Sequence, residues 1–589
     1  MKIFNRFLRH LSYLPFIFMV PQAFGNEVEA YEYLNAVMDQ FQSTVDVYND
    51  LGAAGNHFAA RCAMVPNPNN PSEIAAVGFD ETWSTRCHGG STCIRNTFHP
   101  VDSAFSGGWY FQNGVLNGSA TAPACNWEDQ RNAGLDLRGA TELRFWARGE
   151  QGGERVEFFV GGVGRFPFSE YASAPYPDSL PRVPEQGQPL TLTRDCKQYT
   201  ISLKGFDLSS VIGGFGWMAN APNNPQGATF YVDDIRYRQE RPNELRFLQS
   251  YQTLPTPPAN DFDTVLKNAA YVYDNTVALH TYLARGASDD LRRAKILADT
   301  LIYAQAHDRY FNDGRLRNAY QAGDIASPPG WMPNGRAATA RLPSFWNTRT
   351  KQWLEDIHQA STDTGNMAWV MLAWMRAYEV LGDQKYLDAT RRLGEWVVAH
   401  THDPLGAGGF TGGYEGWEPN PTARTWKSTE HNLDLYATFM RLSDQTDGPE
   451  KAKWRDHALH AKRFATSMWG ACEADRFATS TTNDGITPNC TFSPTDVNTW
   501  GLMVLGNAGS YGRGVDWVLK NGKVAEPCLG ESTAAGIDFN TDRDGIWWEG
   551  TAHTVVAARI KGDMATADDL LSNLRLAQLS ATRTNGKAL

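Results

Sequence analysis

A chain of 589 residues is longer than one hydrophobic core usually organises, so two or more domains are expected. The composition is globular, with 42% apolar, 20% charged and 12% aromatic residues, among them 19 tryptophans. A net charge of −11 argues against nucleic acid as a partner and gives no support for docking on anionic lipid.

Residues 1–25 read as a cleaved signal peptide. Lys2, Arg6 and Arg9 form a positive leader, Leu11–Val20 is an apolar run too short to span a bilayer, and Ala23 and Gly25 are small residues at −3 and −1. The mature protein is therefore expected to be secreted or periplasmic, and no later apolar run is long enough for a membrane span. Cysteines fit an oxidising compartment. Cys62, Cys87, Cys93, Cys125 and Cys196 lie in the first part, and Cys472, Cys490 and Cys528 in the second. Both counts are odd, so either one bridge joins the two parts or two thiols stay free; the spacing matches no zinc site.

Glu27–Arg61 reads as helical. Beyond residue 75 the pattern alternates, as strands do, in Thr141–Arg148, Arg155–Val160, Gln198–Leu203 and Ala228–Tyr237, with glycine and proline turns between. The segments LDLRGATELRFWARG, FFVGGVG, YTISLKGFDLSSVIGGFGW and ATFYVDDIRY resemble the jelly-roll modules related to galactose-binding domains and carbohydrate-binding modules. That resemblance implies an N-terminal β-sandwich, bounded here as 26–240, with a linker over 241–260 that contains the proline-rich Thr253–Pro258.

Helical periodicity dominates 261–589. Inner helices are expected near 263–284, 363–381, 430–444, 496–506 and 549–561, and outer partners near 288–306, 384–401, 450–469, 511–520 and 564–581. Met367–Met375 is apolar all round, as a buried helix is, whereas Tyr386, Thr390, Leu393 and Trp396 form one stripe. Five such hairpins resemble the (α/α)6 toroid of many glycoside hydrolases, some polysaccharide lyases and sugar epimerases. That ring has six hairpins, so the toroid-like domain is expected to be incomplete at its C-terminal end or to take its sixth pair from elsewhere.

Four polar clusters recur at the starts of these helices: Thr362–Asn366, Ser428–Asn432, Thr495–Asn498 and Trp547–Thr551. Each holds a carboxylate, and tryptophans flank them. Tryptophan faces stack on sugar rings, while acids and amides bond hydroxyls. Glu430 is the expected general acid, because Ser428 or Thr429 can cap the helix and apolar neighbours raise a carboxyl pKa. Asp363 or Glu549 is the expected base. Trp369, Trp426, Trp500 and Trp548 are expected as subsites, with His431, Asn432, Asp496, Asn498, Asn366, Tyr271, Asp274 and Arg317 as further substrate contacts. Tyr271, Asp274 and Asn275 lie inside the first inner helix, and Arg317 lies in a long loop, 307–361.

Asp538, Asn540, Asp542 and Asp544, with Glu549 twelfth from Asp538, partly match a calcium loop, although Arg543 stands where such loops carry glycine. Structural calcium is the one cofactor considered. A serine-hydrolase elbow, a phosphate-binding loop and a zinc-protease motif are absent from the sequence. The resemblance to toroid hydrolases, together with these acids and tryptophans, implies a glycoside hydrolase acting on a polysaccharide or oligosaccharide, with the inverting two-carboxylate mechanism that such hydrolases generally use. The alternatives are a lyase that eliminates across a uronic acid and a non-catalytic carbohydrate-binding or matrix protein; a sugar epimerase ranks third among the enzymes, lowered by the export signal and the sandwich domain.

Overall fold

The structure, a computed structural model, describes residues 25–581 except 50–55, 104, 115–122, 128–132, 165–175, 185–187, 254–261, 328–333, 335, 508–509 and 528–532. The signal-peptide reading therefore lies outside the described residues apart from Gly25, as do most of the proline-rich connector and Cys528. No helix among the described residues is long and apolar enough to cross a membrane.

Two antiparallel sheets occupy the first part. One runs Lys197–Ser202, Glu142–Gly149, Ala228–Arg238, Cys93–Phe98, Val77–Trp83, with Thr44–Tyr48 also paired to Ala228–Arg238. The other runs Ala60–Met64, Ser106–Gln112, Gly213–Asn220, Arg155–Val160, Val183–Pro184, with Leu190–Thr191 on Arg155–Val160. The alternation of the strands turns Leu143, Phe145 and Phe230 from one sheet toward Phe158, Phe215 and Trp217 of the other, and these residues share one buried core. Trp217 keeps its polar edge satisfied by donating from Nε1 to Asn96 Oδ1 at 2.8 Å. Disulfides Cys62–Cys125 and Cys87–Cys93 lie here, and Cys472–Cys490 lies in the helical part, so none joins the two parts among the described residues. Cys196 is unbridged.

Glu27–Arg61 departs from the helical expectation. A helix, α1, covers Gly25–Asp39 only; Thr44–Tyr48 and Ala60–Met64 are strands. Thr44-Val-Asp-Val-Tyr48 alternates β-branched and polar residues, and pairing with Ala228–Arg238 outweighs any helical continuation. α1 itself packs on the helical part. Tyr31 and Met38 join that core, and Tyr31 Oη donates to the Thr281 carbonyl at 2.9 Å. The connector is anchored too: buried Arg246 donates to Met38 O at 2.8 Å and to Asp39 Oδ1 at 3.1 Å.

Ten helices form five hairpins: α2 Val272–Arg285 with α3 Ser288–Ala306, α4 Thr364–Leu381 with α5 Gln384–Thr401, α6 Thr429–Asp444 with α7 Gly448–Ser467, α8 Asp496–Leu505 with α9 Gly512–Gly522, and α10 Trp548–Lys561 with α11 Met564–Ser580. Each inner helix (α2, α4, α6, α8, α10) packs against the next in order. Apolar faces such as Met367–Met375 of α4 are buried between them. The first inner helix begins nine residues later than 263: the short helix Phe262–Leu266 and the strand Ala269–Tyr271, paired with Ala319–Gln321, precede it. The long loop 307–361 is likewise built of short strands and the helix Ile357–Ala360 in its described parts.

One device recurs at the inner helix starts. Thr364 Oγ1 donates to Thr411 O at 2.6 Å, Thr429 Oγ1 to Ala478 O at 2.6 Å, and Thr495 Oγ1 to Asp538 O at 2.7 Å. Each hydroxyl ties one inner helix to the segment entering the next hairpin. Asparagines add a second tie. Asn275 bonds both the N–H and the carbonyl of Leu248, Asn432 does the same for Phe410, and Asn498 accepts from Phe477 N at 2.9 Å. Asn432 is fully buried, so removing its amide strands the Phe410 backbone groups. Asn432→Ala is expected to destabilise the helical part by about 2–4 kcal/mol, read as a lowered urea midpoint of the 222 nm signal.

Candidate functional site

The converging N-termini of α2, α4, α6, α8 and α10 surround a cavity of about 200 Å³. Its walls carry Tyr273, Asp363, Gly365, Asn366, Trp369, Glu430, His431, Asp434, Asp496, Trp547, Glu549 and His553. No Lys or Arg is among them.

Capping and pairing set the partners of the acids at these helix starts. Ser428 is the N-cap of α6 and accepts from His431 N at 3.2 Å, leaving the Glu430 carboxyl uncommitted to the backbone. Asp363 is the N-cap of α4 but makes no capping bond; its carboxylate is paired with Arg424 instead. Asn318, from the long loop, sets this corner. Its Oδ1 accepts from Asp363 N at 2.7 Å and from Asn366 Nδ2 at 2.8 Å. Gly365 is required for packing: a Cβ there would stand 2.4 Å from His431 Cδ2.

Glu430, Asp434 and Asp496 form a crowded acid cluster. Burial pushes the Glu430 carboxyl well above the ordinary carboxylate range, and Asp496, Asp434 and Glu549 push it further. Glu430 shares a hydrogen bond with Asp496, which raises the Glu430 carboxyl and lowers that of Asp496. Burial lifts Asp496 to about 6, against the hydrogen bond it accepts from Val497 N at 2.6 Å. Asp434, 4% exposed, is raised well above normal by burial and by Asp496, and the Trp369 indole N–H offsets part of this. Glu549 is exposed at the mouth, accepts from Tyr273 Oη, and lies 3.7 Å from His553 Nε2. Burial holds His431 down to about 4 and also lowers His553, so both rings are neutral at pH 7.

The sequence expectations divide accordingly. Asp363, Asn366, Trp369, Glu430, His431, Asp496 and Glu549 meet at the cavity. Trp500 stands behind the wall, 5.5 Å from Trp369 and 4.6 Å from His553, ring centre to ring centre. Trp426 flanks His431 at 5.9 Å without lining the cavity. Trp547, not Trp548, faces in, because it is the N-cap residue of α10, where the chain turns over the mouth. Asn432 is consumed by the backbone ties described above, and Asn498, also buried, spends its Oδ1 on Phe477 N. Arg317 is fully buried and holds Asp308 at 2.6 Å and Glu418 at 3.0 Å, so it braces the loop and leaves no group for a substrate. Tyr271 is the N-cap of α2, packed against Tyr251 and His358. Asp274 sits in the first turn of α2, not deep inside the helix; it is raised to about 6 by burial and is not among the lining residues.

Tyr273, Asp434, Trp547 and His553 were missed as site residues. Asp434 and His553 follow Glu430 and Glu549 by four residues, which places each pair on one helix face. That spacing was the available signal.

No protein-family model and no curated protein matches the chain. Solved structures with partial likeness include a cellobiose 2-epimerase from Spirochaeta thermophila, 12% identical, with a TM-score of 0.36 over 56% of this chain and 76% of that one. A family 76 glycoside hydrolase from a bovine Bacteroides thetaiotaomicron strain is 9% identical, with a TM-score of 0.34 over 82% and 87%. A D-mannose isomerase is 13% identical, with a TM-score of 0.35 over 52% and 75%. Overlap this low does not transfer an activity.

The acid cluster makes stability depend on pH. Raised carboxyls hold protons in the folded chain that the unfolded chain releases near pH 4. Their contribution is complete below about pH 4 and is lost as pH rises through the folded values, about 6 for Asp496 and well above the ordinary carboxylate range for Glu430 and Asp434. Asp434→Asn is therefore expected to stabilise the protein at pH 8 by about 1 kcal/mol or more and to be neutral at pH 4, measured by thermal melts at both values.

Proposed function

We propose that the protein is a secreted or periplasmic glycoside hydrolase. Its helical hairpins would form a toroid-like catalytic domain, and its two-sheet part would be a carbohydrate-binding-type β-sandwich over roughly 26–240. The observation that carries this reading is Glu430: a buried carboxyl, held well above the ordinary carboxylate range by burial and by Asp496, on the wall of a sugar-sized cavity faced with Trp369, Trp547 and Tyr273. Glu430 gives its proton to the glycosidic oxygen as the bond breaks. Asp363, apart from the acid cluster and paired with Arg424, takes a proton from the attacking water. Glu549 and Tyr273 bond sugar hydroxyls at the mouth, and the indole faces stack on the ring.

The charge of the wall favours a neutral sugar. No Lys or Arg lines the cavity among the described residues, so a uronic acid would find no counter-charge on its wall. That weakens the lyase reading. The neutral pair His431 and His553 supports a second reading: proton transfer at a sugar carbon, as in epimerisation, with one imidazole taking a proton and the other group at the site returning it.

The test is incubation with a panel of neutral and acidic glycans, following reducing ends, absorbance near 235 nm and the proton NMR spectrum together. A hydrolase releases reducing ends from a neutral glycan without the absorbance of an unsaturated product. Glu430→Gln and Asp363→Asn are each expected to lower kcat about 10²–10⁴-fold while leaving binding within a few-fold. New absorbance would turn the assignment to a lyase, a changed sugar without cleavage to an epimerase, and binding without turnover to a carbohydrate-binding protein.

A further inference from the structure

The turn Asp538–Gly545 links the strand Thr533–Ile537 to α10 and presents Asp538, Asn540, Asp542 and Asp544 at alternate positions. One carboxylate oxygen from each of Asp538, Asp542 and Asp544 lies within 4.8 Å of the other two. Arg543, the single cation in the turn, does not neutralise them; its guanidinium donates to the carbonyls of Asn521 at 2.9 Å and Lys520 at 2.6 Å. Asp538 is 3% exposed, and its Oδ2 is fully enclosed with no hydrogen-bond partner. A buried carboxylate oxygen without a donor, facing two further carboxylates, is costly unless a cation supplies the missing charge.

We propose that Asp538, Asp542 and Asp544 bind one calcium ion. Three hard oxygen donors, with no imidazole or thiolate, select calcium over zinc. Arg543 stands where a calcium loop needs a left-handed residue, and it adopts that conformation with φ +60°, so the absent glycine does not prevent the turn. Glu549 is not a ligand, because it faces the pocket and accepts from Tyr273. Without that bidentate carboxylate the affinity falls at the weak end for calcium loops, with Kd on the order of 10⁻⁴ M.

The ion would stiffen one wall of the pocket. Asp538 O and Phe539 O both accept from Thr495, at 2.7 Å from Oγ1 and 2.8 Å from N, which seats Asp496. The same turn delivers Trp547, whose N–H donates to Ile537 O at 2.8 Å.

The experiment uses the full chain stripped with a chelator and reads binding and melting, not turnover, so its result is independent of the catalytic assignment. Equilibrium dialysis with radioactive calcium is expected to give one ion per chain. Calcium at about 10 mM is expected to raise Tm by about 3 °C or more, and equal magnesium to raise it less. Asp542→Asn with Asp544→Asn changes two exposed residues, so folding is retained; affinity is expected to fall at least tenfold and the Tm shift to disappear. No calcium uptake by the unaltered chain at 10 mM would overturn the proposal. A shift that persists in the double variant, or one as large with magnesium, would overturn it too.

Discussion

The arrangement depends on the hydroxyl ties of Thr364, Thr429 and Thr495. A helical hairpin has no intrinsic reason to present its inner N-terminus at a fixed height beside its neighbour. The hydrophobic driving force is non-directional, whereas a hydrogen bond to one carbonyl fixes a position along the helix axis. These three side chains bond carbonyls in the next hairpin's entry segment, so the residue that follows each of them, Gly365, Glu430 or Asp496, arrives at the same cavity. The asparagine ties of Asn432 and Asn498 add a second hold on α6 and α8, and that of Asn275 holds the start of α2. Polar residues that look like site candidates are in part the scaffold of the site.

Two effects compete at those helix starts. A helix N-terminus favours a negative charge by about 0.3–1 kcal/mol. Burial and mutual repulsion among Glu430, Asp434 and Asp496 oppose ionisation, and here they dominate, since all three carboxyls are raised. Each pKa unit corresponds to about 1.4 kcal/mol, so a rise of one or two units already exceeds the dipole. The same cavity also contains His431 and His553, whose imidazoles burial keeps neutral at pH 7. The crowding that raises these carboxyls also costs stability above the pH at which the unfolded chain ionises.

Much of the secondary structure was legible because its signals are local. The alternation in Glu142–Gly149 and Ala228–Arg238 and the all-round apolarity of Met367–Met375 follow from which faces a strand or a buried helix covers. Legibility failed where a long-range partner decided the element. Thr44–Tyr48 follows a helix in sequence but is held as a strand by residues almost two hundred positions away, and Ala269–Tyr271 is a strand because Ala319–Gln321 lies beside it. Arg317 carries charge like a ligand contact, yet Asp308 and Glu418 claim it; no local pattern announces that.

The sequence by itself determined the mixed strand and helix content, the five helical hairpins, and seven of the polar and aromatic residues that meet at the cavity. These are consequences of period, capping and composition, which act over a few residues. Only the tertiary structure decided that Trp547 and not Trp548 faces in, that Asp434 joins Glu430 and Asp496, that Asn432 and Asn498 are spent on backbone, and that Tyr273 of the first hairpin bonds Glu549 of the last. Side-chain direction at a helix start, the sharing of a proton and the closing of a pocket depend on neighbours brought together from across the chain, and no local sequence pattern encodes that proximity.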